Sequence, residues 1–289
     1  MALLSSLAER LRALLPARYR AKHPLVPVVR LSGAIGAALP LRPGLSVAAC
    51  APALERAFGM PGIKAVAVVI NSPGGSAAQS HLIFKRIRAH ADEKRVSVFV
   101  FVEDVAASGG YMIACAGDEI FADPSSLVGS IGVISAGFGF ERLIERFGVE
   151  RRVHTAGRNK AMLDPFRPER PEDVARLKEI QAQVHAAFRG LVEGRRGARL
   201  KGDPDTLFSG EVWAGAEALA IGLIDGLGDV RSVMRERFGD KVRLTLVPTE
   251  RPSLLARWFG RSGSPHVMLD PTAVIAALEQ RAAWARWGL

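Results

Sequence analysis

Residues 65–94 read AVAVVINSPGGSAAQSHLIFKRIRAHADEK, and they decide the fold. Ala65 to Ile70 is a continuous apolar run, which predicts a strand buried on both faces. Asn71-Ser72-Pro73-Gly74-Gly75 reads as a turn. From about Ala77 to Lys94 a helix is predicted, with Leu82, Ile83 and Ile87 on one face.

The unit repeats downstream. Val96 to Val102 is the most β-prone run in the chain, and it empties into a serine-centred turn, Asp104-Val105-Ala106-Ala107-Ser108-Gly109-Gly110-Tyr111. A helix is predicted from 108 towards 116, then short strands near Glu119–Ala122 and Ile131–Ile134. Alternating strands and helices imply an α/β fold with a largely parallel sheet, whose functional loops lie at the C-terminal ends of the strands. Both glycine-rich turns then share one edge.

Further out the signals are shorter. Leu25 to Leu31 reads as a strand, Gly33 to Pro52 as loop or edge structure, and Leu54 to Phe58 as a helical turn. Phe138 to Phe147 reads as a helix, Arg151 to Thr155 as a strand, and 156–160 as a loop. Pro171 opens a long helix to about Gly194, striped by Val174, Leu177, Ile180, Val184, Phe188 and Leu191. Ala214–Ile221 is a short helix and Val242–Val247 a last strand. These boundaries divide the chain into an amphipathic N-terminal helix and linker at 1–24, an α/β domain at 25–247, and a basic connection with an amphipathic helix at 248–289. The terminal helices carry Leu3, Leu7 and Leu11 at one end and Trp284 and Trp287 with Arg281 and Arg286 at the other, which suits a lipid or a protein interface.

Composition narrows the function. With 289 residues and 48% hydrophobic content the chain can bury a large core. The net charge of +10 is spread along it, and only 7% of residues are aromatic, so no nucleic-acid motif emerges. Arg151-Arg152 and Arg195-Arg196 read as solvated surface, and the basic balance points weakly to anionic membranes. Cys50 and Cys115 have no metal or redox spacing and read as buried packing residues. No cleavable signal and no transmembrane span is predicted, because the longest uncharged run, Pro124 to Phe140, holds four glycines and four serines. The expected location is cytoplasmic, or peripheral at the inner face of a membrane.

The serine turn is the candidate for chemistry. A serine at the bend with glycines behind it leaves room for a substrate carbonyl beside the hydroxyl. Taken alone, Ala-Ser-Gly-Gly reads as a helix N-cap. A nucleophile needs a base. His81, His90 and His185 fall in predicted helices, and His154 ends a strand and stays open as a candidate. Lysine is the alternative, since an amine whose pKa burial lowers can take the serine proton. Lys160 lies in a loop, unlike the helical Lys85, Lys94 and Lys178, although in isolation it reads as a surface cation.

The ordered set Asn71-Ser72-Pro73-Gly74-Gly75, Asp104 to Tyr111, Asp123-Pro124-Ser125-Ser126 with Gly129-Ser130-Ile131-Gly132-Val133, Gly157-Arg158-Asn159-Lys160, and Phe208-Ser209-Gly210 through Ile224-Asp225 resembles the short form of the SppA-like signal peptide peptidases, family S49. The resemblance runs over roughly residues 25–235. It implies a ClpP/crotonase-like fold and a Ser-Lys dyad, with Ser108 as nucleophile, Lys160 as general base, Ser130 orienting the lysine, and the backbone N–H groups of Gly75 and Gly109 as oxyanion hole. It implies no cofactor, peptide substrates, and a homo-oligomeric ring or dome in which the dyad can be shared between protomers. Two departures stand out: relatives usually carry an N-terminal membrane span, and Met112 stands where they show an aromatic. The competing readings are a crotonase-like acyl-CoA enzyme and a non-catalytic membrane-associated interaction protein.

Overall fold

The structure, a computed structural model, describes residues 23–36, 44–249 and 284–285. Strand β1 (Leu25–Ser32), helix α1 (Val47–Phe58), strand β2 (Ala65–Ser72), helix α2 (Ala77–Lys94) and strand β3 (Ser97–Ala107) form the first half of the fold. The three strands are parallel neighbours, in a register that sets Val66 beside Val98 and Ile70 beside Val102. Helix α3 (Gly109–Ala114) leaves the end of β3. Two short strands then share β3 as a partner, β4 (Glu119–Ala122) along Phe99–Val102 and β5 (Leu127–Gly129) along Val105–Ala107.

Helix α4 (Glu141–Arg146), the long helix α5 (Pro171–Arg196), α6 (Pro204–Leu207), β6 (Val212–Ala214), α7 (Gly215–Ala220), β7 (Gly226–Leu227), α8 (Val230–Phe238) and β8 (Arg243–Leu246) complete the order. The sheet runs β6-β5-β3-β2-β1-β8, with β4 and β7 branching from β3. Among the described pairings β5 with β6 is antiparallel and the others are parallel.

Pleating explains the layers. Successive side chains point to opposite faces, so Val66, Val68, Ile70, Val98, Val100 and Val102 join one core with Leu54, Ile83 and Ile87. Ala67, Val69, Phe99 and Phe101 join another with Val233 and Met234 of α8. Every residue of β2 is buried, which is why its sequence reads as an uninterrupted apolar run. Each such Val or Ile contributes about 1.5–3 kcal/mol by leaving water. The fold is α/β with a largely parallel sheet and βα repeats, as expected.

Several expectations change. The stretch expected to be loop, Gly33 to Pro52, holds the first half of α1. Its start is fixed by Ser46, whose Oγ accepts from the Ala49 N–H at 3.3 Å, and Pro52 is tolerated inside it because Cys50, Ala53, Leu54, Ala57 and Phe58 are buried against the sheet. Strand β3 continues through Asp104–Ala107, so the bend is confined to Ser108. Neither 131–134 nor 151–155 forms a strand, since neither finds a sheet partner. Of the α5 stripe only its C-terminal part, Phe188 and the neighbouring Val192, is fully buried, while Ile180 is exposed. The predicted helix at 1–24 and nearly all of the C-terminal one lie outside the described residues.

Arg196 is the clearest correction. It is buried, not solvated: Nε and Nη2 donate to the Gly222 carbonyl at 3.0 and 2.9 Å, and Nη1 and Nη2 fork the Asp225 carboxylate at 2.8 and 3.0 Å. Burial works against the Asp225 charge, but the guanidinium outweighs it and holds the carboxyl below its ordinary range. Its neighbour Arg195 donates to the Cys115 and Gly117 carbonyls at 2.8 and 2.9 Å, and Arg88 of α2 donates to the Ala116 carbonyl at 3.1 Å. The carbonyls that end α3 are thus satisfied by arginines from two neighbouring helices.

Candidate active site

The site forms where β2, β3 and β5 end. Ser108 has φ 53° and ψ −119°, a conformation that costs a non-glycine residue on the order of 1–3 kcal/mol and persists only where the surroundings enforce it. Here they do. The Ser108 N–H donates to the Gly129 carbonyl at 2.8 Å, extending the β3–β5 ladder by one residue past the pair Ala107 and Gly129. The side chain makes no capping bond to α3, so Ser108 is not an N-cap in the ordinary sense, and its hydroxyl has no hydrogen-bond partner among the described residues. Such a strand–turn–helix bend presents a serine hydroxyl at the sheet edge.

The other glycine turn packs directly against it. A Cβ placed on Gly74 would lie 2.8 Å from Ser108 Cβ and 3.1 Å from the Gly109 nitrogen. Gly75, at φ 141°, is held by Ile35, whose N–H donates to the Gly74 carbonyl at 2.8 Å and whose carbonyl accepts from the Ser76 N–H at 2.9 Å. The N–H groups of Gly75 and Gly109 donate to no acceptor among the described residues. Two unused backbone donors beside a strained serine are the parts an oxyanion hole needs.

Supporting polar groups lock the two turns together. Asn71 Nδ2 donates to Asp104 Oδ2 at 2.5 Å and Asn71 Oδ1 accepts from the Val105 N–H at 3.3 Å. Buried Ser72 donates to the Gly33 carbonyl at 2.8 Å and accepts from the Gly74 N–H at 3.2 Å. Tyr111 is wholly buried and its hydroxyl donates to the Leu223 carbonyl at 2.7 Å; burial raises its pKa well above the ordinary phenol value. Asn71 and Tyr111 fall within the motifs quoted above, but their partners are too far along the chain to be read from spacing.

The structure brings Ser108, Gly109, Gly75 and Ser130 together. Ser130 follows Gly129, the residue bonded to Ser108, and is itself a positive-φ residue at 51°. No hydrogen bond joins Lys160 to them among the described residues. Lys160 lies on an exposed turn, and its ammonium makes no hydrogen bond or ion pair among the described residues. His154 is also exposed. A cavity of about 500 Å³ opens near the same strand ends, lined by Phe101, Glu103, Asp123 and Asp229 and by none of these candidates. Among the described residues no group of His, Cys, Asp or Glu is arranged to hold a metal ion.

The chain is similar to known proteins. The profile of Peptidase family S49 matches residues 90–241. The chloroplastic serine protease SPPA of Arabidopsis thaliana is 32% identical over 196 residues, covering 66% of this chain and 28% of that protein. A protein named Na(+)/H(+) antiporter NhaA from Brucella abortus (strain 2308) is 53% identical over 288 residues, covering 96% of this chain but 39% of its own length. That name describes a protein most of which has no counterpart here, and no described helix is long and apolar enough to cross a membrane. A solved membrane-bound stomatin-specific protease with a substrate peptide aligns over 83% of this chain and 97% of its own at TM-score 0.49 and 15% identity. The chain spans well under half the length of the two sequence relatives. The sheet is that of an α/β protein, and the family profile matches just over half of the chain. The chain therefore belongs to peptidase family S49.

Proposed function

We propose that the chain is a serine endopeptidase in which Ser108 is the nucleophile, Lys160 the general base, Ser130 the residue that orients the lysine, and the Gly75 and Gly109 N–H groups the oxyanion hole. The observation that carries this reading is the strained, unpartnered Ser108 hydroxyl set beside two unused backbone donors. Ser108 Oγ attacks the peptide carbonyl carbon and its proton passes to the Lys160 amine. The oxyanion is held by the two N–H groups. The C–N bond then breaks, the leaving amine takes the proton from Lys160, and water hydrolyses the ester with Lys160 as base again.

The base reaches Ser108 by movement of its turn or from a second copy of the chain. The second route is favoured by the exposure of Ile134, Phe138, Leu143, Phe147 and Val149 on the same excursion from the sheet. The substrates are signal peptides, membrane-derived or other hydrophobic peptides, which suits the exposed Val133 and Ile134 just beyond Ser130. The protein works in the cytoplasm or at the inner membrane surface, and its ends, 1–24 and 248–289, contact lipid or a neighbouring subunit.

Peptide hydrolysis by wild type, Ser108→Ala and Lys160→Ala, with mass spectrometry of the acyl adduct, tests the proposal. The wild type forms the adduct and cleaves; both variants lose cleavage and Ser108→Ala loses the adduct. Equal cleavage by all three overturns it. Coenzyme A binding with activity independent of Ser108 supports an acyl-CoA enzyme instead.

A further inference from the structure

The geometry points to His185 as a positioning residue for Ser130. This rests on the role proposed for Ser130 above. His185 lies in the middle of α5, half-buried, and its Nε2 stands 3.2 Å from the carbonyl oxygen of Ile131. A carbonyl only accepts, so Nε2 carries the proton. The bond is available to the neutral Nε2–H tautomer and to the imidazolium alike.

The bond matters because of what Ser130 is. With φ 51° it sits in backbone space that a non-glycine residue occupies only when its neighbours compel it. Three contacts hold it: its N–H donates to the Glu211 carbonyl at 2.6 Å, its carbonyl accepts from the Gly132 N–H at 2.9 Å, and the next carbonyl along is held by His185. Gly132 closes the turn and Glu211 ties it to the start of β6. Among the described residues His185 makes the hydrogen bond that ties it to the long helix, whose Arg195 holds the end of the Ser108 helix at the Cys115 and Gly117 carbonyls. One rigid element therefore references both serines, and α5 begins just after the turn that carries Lys160.

The test uses the full-length protein and a fluorophosphonate probe, in which serine Oγ attacks phosphorus and fluoride leaves, so the readout needs no knowledge of the substrate. Its labelling rate is measured across pH for wild type, His185→Ala, His185→Gln, Ser130→Ala and the double variant His185→Ala/Ser130→Ala. Loss of one hydrogen bond slows His185→Ala roughly tenfold at neutral pH and displaces its pH–rate curve in the same direction as Ser130→Ala. His185→Gln, which keeps an N–H donor, restores most of the rate. The double variant is no slower than Ser130→Ala, because the two residues act through one turn. Additive losses, a wild-type rate for His185→Ala beside a slowed Ser130→Ala, or no rescue by glutamine would overturn the assignment to His185 alone. A wild-type rate for Ser130→Ala would overturn the role of Ser130 itself. Should His185→Ala not fold, His185→Leu beside His185→Gln carries the same comparison.

Discussion

Replacing Gly75 by alanine probes the proposed oxyanion hole without touching a side chain. The new Cβ would lie 2.2 Å from the Ile35 carbonyl oxygen and 2.9 Å from the Ile35 nitrogen, where real Cβ atoms come no closer than 3.0 Å. The turn and the Ile35 segment have to separate by about 0.8 Å, and since both obstructing atoms are backbone, no side-chain rotation relieves the clash. A φ of 141° adds strain to any residue with a Cβ. A donor moved that far from an oxyanion at ~2.9 Å stands at roughly 3.7 Å, outside hydrogen-bond range. Losing one oxyanion donor costs about 10²–10³ in rate. The assay is fluorophosphonate labelling of folded Gly75→Ala, checked by circular dichroism, beside Gly137→Ala, whose Cβ meets nothing within 4 Å. Labelling of Gly75→Ala within about threefold of wild type refutes the reasoning.

Arg196→Ala removes the buried partner of Asp225 and leaves it the half-exposed Arg199 at 3.1 Å, so we expect a loss of about 3 kcal/mol, the low end for a broken buried pair, read as a fall of roughly 6–12 °C in thermal midpoint; an unchanged midpoint contradicts the pairing. Asp225 has its pKa depressed in the folded protein despite its burial, by Arg196. Its contribution is therefore complete above the unfolded carboxyl value of about 3.9 and disappears as pH falls through the lower folded value. Acid unfolding of the wild type should steepen below about pH 4 relative to Asp225→Asn, and parallel acid limbs would count against this. Burial pushes the thiols of Cys50 and Cys115 up to about 12, so iodoacetamide at pH 8 should modify neither in the native protein and both after denaturation. Rapid native alkylation would show that the α1 and α3 packing is wrong.

The sequence was legible where one element supplied its own signal. Helix α2 runs from Ala77 to Lys94 as predicted, with Ile83 and Ile87 of its apolar face buried and Leu82 exposed, and β2 is the buried strand that its composition implies. Where partners come from elsewhere the sequence was mute. Arg196 reads as surface because the residues that bury it, Gly222 and Asp225, lie in a later turn. Helix α1 was hidden by Pro52, whose cost is offset only by the sheet it packs on. Ser130 reaches the side of Ser108 because β3 pairs with two strands in succession, which no periodicity announces. The strained backbone of Ser108 is likewise a tertiary property. Its motif suggested a bend, while the absence of a capping bond is what distinguishes it from an ordinary helix start.

The most direct test of the account is the site of covalent capture. The protein is treated with a fluorophosphonate, digested, and mapped by tandem mass spectrometry. One adduct on Ser108, abolished by Ser108→Ala in a folded protein, is the predicted result. An adduct on another serine, or labelling that persists in Ser108→Ala, would contradict Ser108 as the nucleophile.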